Sequence, residues 1–122
     1  MSPRSDEFMQ AARKRLTAAE AVIEQDPSAA LSAAYYAMPY GARAALSERD
    51  TPTRTHRGTW HEFRKAFVED GRIGADLATD VQRLQSEREQ ADYDAWAAPP
   101  AEAKQAIELA HRFLSAVEAV LD

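Results

Sequence analysis

Cysteine is absent from the 122 residues. That excludes disulfides and thiolate nucleophiles, and it removes the thiolate ligands on which most structural zinc sites depend. With only 4 glycines there is no Gly-rich phosphate loop, and neither a His-Glu-x-x-His helix motif nor a Gly-x-Ser-x-Gly elbow is found. The three histidines, His56, His61 and His111, do not share the spacing of ligands on one helix, so neither a metal nor a cofactor is expected. No run reaches the roughly 20 apolar residues of a membrane-spanning helix, and Met1 to Glu7 lacks the apolar segment of a signal peptide. A cytoplasmic protein without a membrane partner is therefore expected. Positive charge is also short: the net charge is −5, which argues against broad binding to nucleic acid through phosphate neutralisation.

What the chain has instead is alanine, with 45% hydrophobic and 29% charged residues and few β-branched side chains. Alanine has the strongest intrinsic helix propensity, and the length suits one domain over residues 1–122. Phe8, Ala12, Leu16, Ala19 and Ile23 recur at helical steps, predicting a first helix from about Asp6 to Gln25. Asp26 followed by Pro27 is an N-cap with proline at the first helical position, and the stripe Leu31, Ala34, Tyr35, Met38, Ala42 and Leu46 carries a second helix to about Ser47. Pro39 lies within that stripe, where a kink is expected.

Residues 48–58 have no periodicity and are expected to form a loop, which bears Arg49, Arg54 and Arg57. Thr59 and Glu62 have capping-box spacing and predict a short helix through Phe63 and Phe67 to Asp70, stopped by Gly71. Ile73, Leu77, Val81 and Leu84 mark a fourth helix ending near Ala91, and Ala103, Ile107, Ala110, Leu114, Val117 and Leu121 a last one beyond a polar turn. The predicted fold is all-α: an antiparallel bundle of four main helices plus one short helix. A bundle of this size leaves apolar and aromatic positions for a second copy to cover, so a homodimer is expected.

Charge is segregated along the chain. From Arg43 to Arg72 seven basic residues face five acidic ones, whereas from Asp76 to Asp94 six acidic residues face two basic ones. The first segment can steer an anionic ligand or simply form a solvated face of mixed charge.

Three stretches carry candidate chemistry. In the second helix Tyr36, Tyr40 and Arg43 stand at i, i+4 and i+7, either as a groove wall for an anionic, aromatic ligand or as core and interface. In the loop, Thr55-His56-Arg57-Gly58 offers an imidazole and a guanidinium, with His56 contacting a ligand or tying the loop to the bundle. Near the end of the fourth helix, Arg88 and Asp92 are four apart and Tyr93 follows. They form either a helix-terminal ion pair or a site in which Arg88 holds a phosphate and Tyr93 stacks on a base.

The joint order of Tyr35-Tyr36-Ala37-Met38, Thr55-His56-Arg57-Gly58 and Arg88-x-x-x-Asp92-Tyr93 resembles the small stand-alone HEPN proteins over about Ala19 to Leu121. The resemblance implies a helical, usually dimeric domain tied to RNA and nucleotides. Such proteins are often paired with a nucleotidyltransferase in toxin–antitoxin or defence-type systems. In the family's ribonucleases an arginine is followed after four to six residues by a histidine near the end of the penultimate long helix. The histidine acts on protons and the arginine stabilises charge on the scissile phosphate, without a metal. Here Arg88 occupies the matching segment, but Asp92, Tyr93 and Asp94 stand where the histidine is expected.

Arg49 to His56 and Arg54 to His61 match the spacing in a segment so rich in arginine that matches arise by chance. The resulting expectation is a noncatalytic subunit that binds RNA or nucleotide and a protein partner, a nucleotidyltransferase or an antitoxin. Its candidate ligand-binding residues are Tyr36, Tyr40, Arg43, His56, Arg57 and Arg88. The alternatives are a metal-independent endoribonuclease toxin with an atypical site drawn from Arg88, Asp92, Tyr93 and His56, and a pure protein-interaction module.

Overall fold

Proline opens three of the five α-helices among the described residues. Because its missing N–H falls where a helix has no intrahelical acceptor, and its φ is already helical, it starts a helix at no hydrogen-bonding cost. The computed structural model describes residues 1–93 and 97–121, with the side chains of residues 90–93 excepted. Helix α1 spans Pro3–Val22, α2 Pro27–Ser47, α3 His56–Phe63, α4 Ala75–Tyr93 and α5 Pro100–Leu121. A π-helical turn, Arg64–Val68, extends α3. No strand occurs among the described residues, and the fold is the all-α arrangement expected.

Several boundaries differ from the sequence reading: α1 ends at Val22 rather than Gln25, the short helix stops before Asp70, and two helix starts are moved by their caps. Helix α1 starts at Pro3 rather than Asp6, because Ser2 caps it by accepting from the Ser5 N–H. Ser5 is buried, and its hydroxyl donates to the Ala44 carbonyl at 2.8 Å, fixing the start of α1 against the end of α2. Helix α3 starts at His56, so the capping box expected at Thr59 is not its N-terminus. Thr55 is the cap, accepting from the Gly58 N–H at 2.9 Å. Thr59 lies inside the helix, fully buried, and donates to the Thr55 carbonyl at 2.8 Å. The expected cap at Asp26 is present, accepting from the Ala29 N–H at 3.0 Å, and α2 runs as a single helix across Pro39.

Helices α1, α2, α4 and α5 alternate in direction along the bundle. Arg13 pairs with Glu118, and Glu20 with His111, along antiparallel α1 and α5. The Ala98 N–H donates to Ser28 Oγ at 2.8 Å, placing the starts of α2 and α5 together so that those two run parallel. Their approach is close: a Cβ on Gly41 would sit 2.5 Å from Leu114 Cδ2. Phe63, Phe67, Phe113, Leu16, Met38, Leu46 and Leu114 are almost fully buried, each contributing roughly 1.5–3 kcal/mol by leaving water. Phe63 stacks on Phe67 and Phe113 at centroid distances of 5.3 and 5.4 Å, and Trp60 packs on both Phe63 and Phe113. This aromatic cluster seats α3 on the bundle and orients its opposite edge toward α4.

Candidate functional site

Helix α3 and the first π turn lie alongside α4, and the two are stitched by side chains. Trp60 Nε1 donates to Gln85 Oε1, Arg64 Nε donates to Gln82 Oε1, and Arg64 Nη2 donates to Thr79 Oγ1 at 3.2 Å. Between them runs an open groove of about 460 Å³, lined on the α3 side by His56, Arg57, Trp60, His61 and Arg64, and on the α4 side by Gln82, Gln85, Ser86 and Glu89. Arg57, His61 and Arg64 stand at i, i+4 and i+7, so they share this face. The π turn starts at Arg64, where the Glu69 N–H reaches back to the Arg64 carbonyl. Turns of this kind reset the side-chain register of a helix and recur at functional sites.

The groove is suited to an anion that carries flat groups. Two guanidiniums and two imidazoles outnumber its one carboxylate, Glu89, and arginine is the side chain best matched to phosphate geometry. Trp60 is buried and held by Gln85, so it serves as a wall rather than a free stacking surface.

His56 stands at the junction of this groove with a second aromatic group. Its ring lies 6.1 Å from Tyr35 and 6.4 Å from Tyr36, and the two tyrosines meet edge to face at 5.0 Å. Tyr35 is buried, whereas Tyr36 is 41% exposed, the largest exposed aromatic surface among the described residues. The Nδ1 atom of His56 is buried and makes no hydrogen bond among the described residues. Buried polar atoms are normally satisfied, and this one is an exception.

The candidate residues separate into three locations. His56 and Arg57 line the α3/α4 groove, with Tyr36 beside His56. Arg88 lies in the α4 turn between groove residues Ser86 and Glu89 and is half-buried. Tyr40 faces the other way: its ring packs on Phe8 at 6.3 Å and under Arg15 at 5.9 Å, against α1. Arg43 points to the loop after α2, where its Nε donates to Thr59 Oγ1 at 3.4 Å and it lines a small cavity with Arg4 and Thr53. Tyr36, Tyr40 and Arg43 thus share no single groove. The side chains of Asp92 and Tyr93 lie outside the described residues.

His61, Arg64, Gln82 and Gln85 were not singled out from the sequence. For the first two the signal was the i, i+4, i+7 repeat of Arg57, His61 and Arg64 along α3 and into the π turn, hidden because that helix was expected to begin only at Thr59. No group of three or more histidine, aspartate or glutamate side chains that could hold a metal occurs among the described residues, and none of their helices is long and apolar enough to cross a membrane.

No curated protein matches the chain. The HEPN domain family, whose members include nuclease and toxin–antitoxin proteins, matches residues 5–120. The helical topology, with Arg88 on the penultimate long helix, accords with that match, and the chain belongs to the HEPN family.

Proposed function

We propose that this HEPN protein is an RNA- or nucleotide-binding subunit that receives its ligand in the groove between α3 and α4 and acts as a homodimer with a nucleotidyltransferase or antitoxin as protein partner. The observation that carries the reading is the cationic face of α3. Arg57, His61 and Arg64 line a groove whose far wall is mostly neutral amide and hydroxyl, on a chain that is acidic overall. A protein with net negative charge that concentrates cations along one groove binds anions locally rather than over its whole surface. Arg57, exposed and without an ion pair among the described residues, takes a phosphate. Tyr36, exposed and braced by Tyr35 and His56, offers a stacking face to a base on the other side of His56.

A second reading, metal-independent endoribonuclease, is favoured by one observation: His56, with its unsatisfied Nδ1, lines the same groove as Ser86 and Glu89, the neighbours of Arg88 on α4. An imidazole there supplies the proton transfer that Asp92 and Tyr93 are poorly suited to supply, and the RNA's 2′-hydroxyl is the nucleophile.

One set of measurements separates the two. Binding of a fluorescein-labelled single-stranded RNA is followed by anisotropy in EDTA, and the recovered RNA is run on a denaturing gel. The binding reading expects intact RNA, with affinity lowered about tenfold to 150-fold in Arg57→Ala, in line with the loss of one charge-assisted contact. Cleavage that disappears in His56→Ala and in Arg88→Ala establishes the second reading. Equal affinity of wild type and Arg57→Ala, with no cleavage, removes the groove from consideration.

A further inference from the structure

Helix α4 has two flanks, and the second faces a different groove. Asp80, Arg83, Leu84 and Glu87 of α4, Glu102, Gln105, Ala106 and Leu109 of α5, and Leu31 of α2 enclose about 420 Å³ of open space. The floor is apolar: Leu31 and Ala106 are buried at its base, and Leu84 and Leu109 are half-buried along its sides. The rim is acidic. Asp80 is partly neutralised by Arg83 at 3.7 Å, but Glu87 and Glu102 are exposed and have no ion pair among the described residues. Because α4 and α5 are antiparallel, Glu87 and Glu102 stand together at the end of the groove nearest the α4–α5 connection, with Leu84 and Leu109 further along.

From this arrangement we propose that the α4/α5 groove docks a basic amphipathic helix of a partner protein, its lysine or arginine side chains over Glu87 and Glu102 and its apolar side chains on Leu84 and Leu109. Charge complementarity selects this occupant. A second copy of the same surface would bring Glu87 and Glu102 against themselves or their neighbours, which an isologous interface between like acids disfavours. A phosphate-bearing ligand is repelled by the same rim. The groove follows α4 from Asp80 to Glu87, about two helical turns, the span over which one partner helix presents i, i+3, i+4 and i+7 anchors to a hydrophobic seat. The inference rests on the partner-binding half of the proposed function and is independent of its RNA-binding half, since Gln82, Gln85 and Glu89 face the other groove.

The test uses the full chain and a labelled amphipathic peptide of about four turns, with leucines at i, i+3, i+4 and i+7 and lysines on the flanks. A peptide of identical composition in scrambled order is the control. Expected is saturable binding to the wild type, weakened about tenfold or more in the double variant Glu87→Lys/Glu102→Lys. Leu109→Ser should weaken it likewise, and Glu7→Lys/Glu24→Lys, which makes the same change of net charge elsewhere, should move it less than about twofold. Circular dichroism confirms that each variant is folded, and Glu87→Gln/Glu102→Gln replaces the reversal if that variant is not.

Equal weakening by the two charge-reversed pairs, or equal binding of the scrambled peptide, reduces the effect to net charge and overturns the proposal. Dissociation of a homodimer by Glu87→Lys/Glu102→Lys, seen by sedimentation, assigns the groove to a second copy and overturns it equally. RNA affinity measured on the same samples stays unchanged if only this surface fails, and is lost across all of them if the RNA-binding reading fails.

Discussion

Gly41 admits no side chain, since a Cβ there would lie 2.5 Å from Leu114 Cδ2 and 3.4 Å from Phe113 Cε2. The Phe113 ring beneath it is held by Phe63 and Trp60, and Leu114 is fully buried, so both have little room to withdraw. Gly41→Ala is therefore expected to destabilise by about 1–3 kcal/mol despite the better helix propensity of alanine. Urea unfolding should show the change as a lower midpoint with an unaltered slope.

Glu48 behaves differently because its contact is electrostatic and exposed. It accepts from the Ser2 N–H, and that bond lowers the carboxyl pKa from its ordinary value of 4.5. A depressed folded-state pKa means that the contribution is fully present above 4.5 and is lost as the pH falls through the lower folded value. Wild type should be more stable than Glu48→Gln at neutral pH. The two should converge on acidification, which parallel urea titrations at stepped pH will show.

Helix α3 shows how far elements are legible in this sequence. Both Thr55 and Thr59 have the hydroxyl that an N-cap needs, and Thr59 also has an acid three residues on, so local pattern favours Thr59. The fold decides otherwise, because Thr59 is fully buried between Thr53, at 2.6 Å, and the Thr55 carbonyl. Burial against the preceding loop is not a periodic signal, and neither is the π turn at Arg64.

By contrast, α2 was legible at both ends, since Asp26-Pro27 is a local start signal and the stripe from Leu31 to Leu46 stops where Ser47 and Glu48 begin a polar run. The candidate site divides in the same way. His56 and Arg57 stand out as residue types in a short motif, whereas their pairing with Gln82 and Gln85 depends on two helices meeting across an intervening turn. If Thr55 is the cap, Thr55→Ala should cost about 1 kcal/mol, and Thr55→Asp should cost less because it keeps the acceptor. Thermal unfolding of the pair, read beside the RNA affinity of each, tests whether the start of α3 also positions His56.

Across the whole molecule, α4 separates two grooves of opposite character, one lined by Arg57, His61 and Arg64, the other rimmed by Asp80, Glu87 and Glu102. A net charge of −5 spread evenly would repel RNA from every side; segregating it leaves one approach. The consequence is a small, countable number of phosphate contacts rather than a broad basic footprint. The two guanidiniums engaged on a single strand give a slope of log affinity against log salt of roughly −1.4. Affinity should then fall only about sevenfold between about 50 and 200 mM salt, and Arg57→Ala should shallow the slope by roughly 0.7. A steeper slope, near that of proteins making six or more phosphate contacts, would require cations beyond the α3 face. Arg4 and Arg43, which meet at the separate cavity beside Thr53, are the next pair in position to supply them.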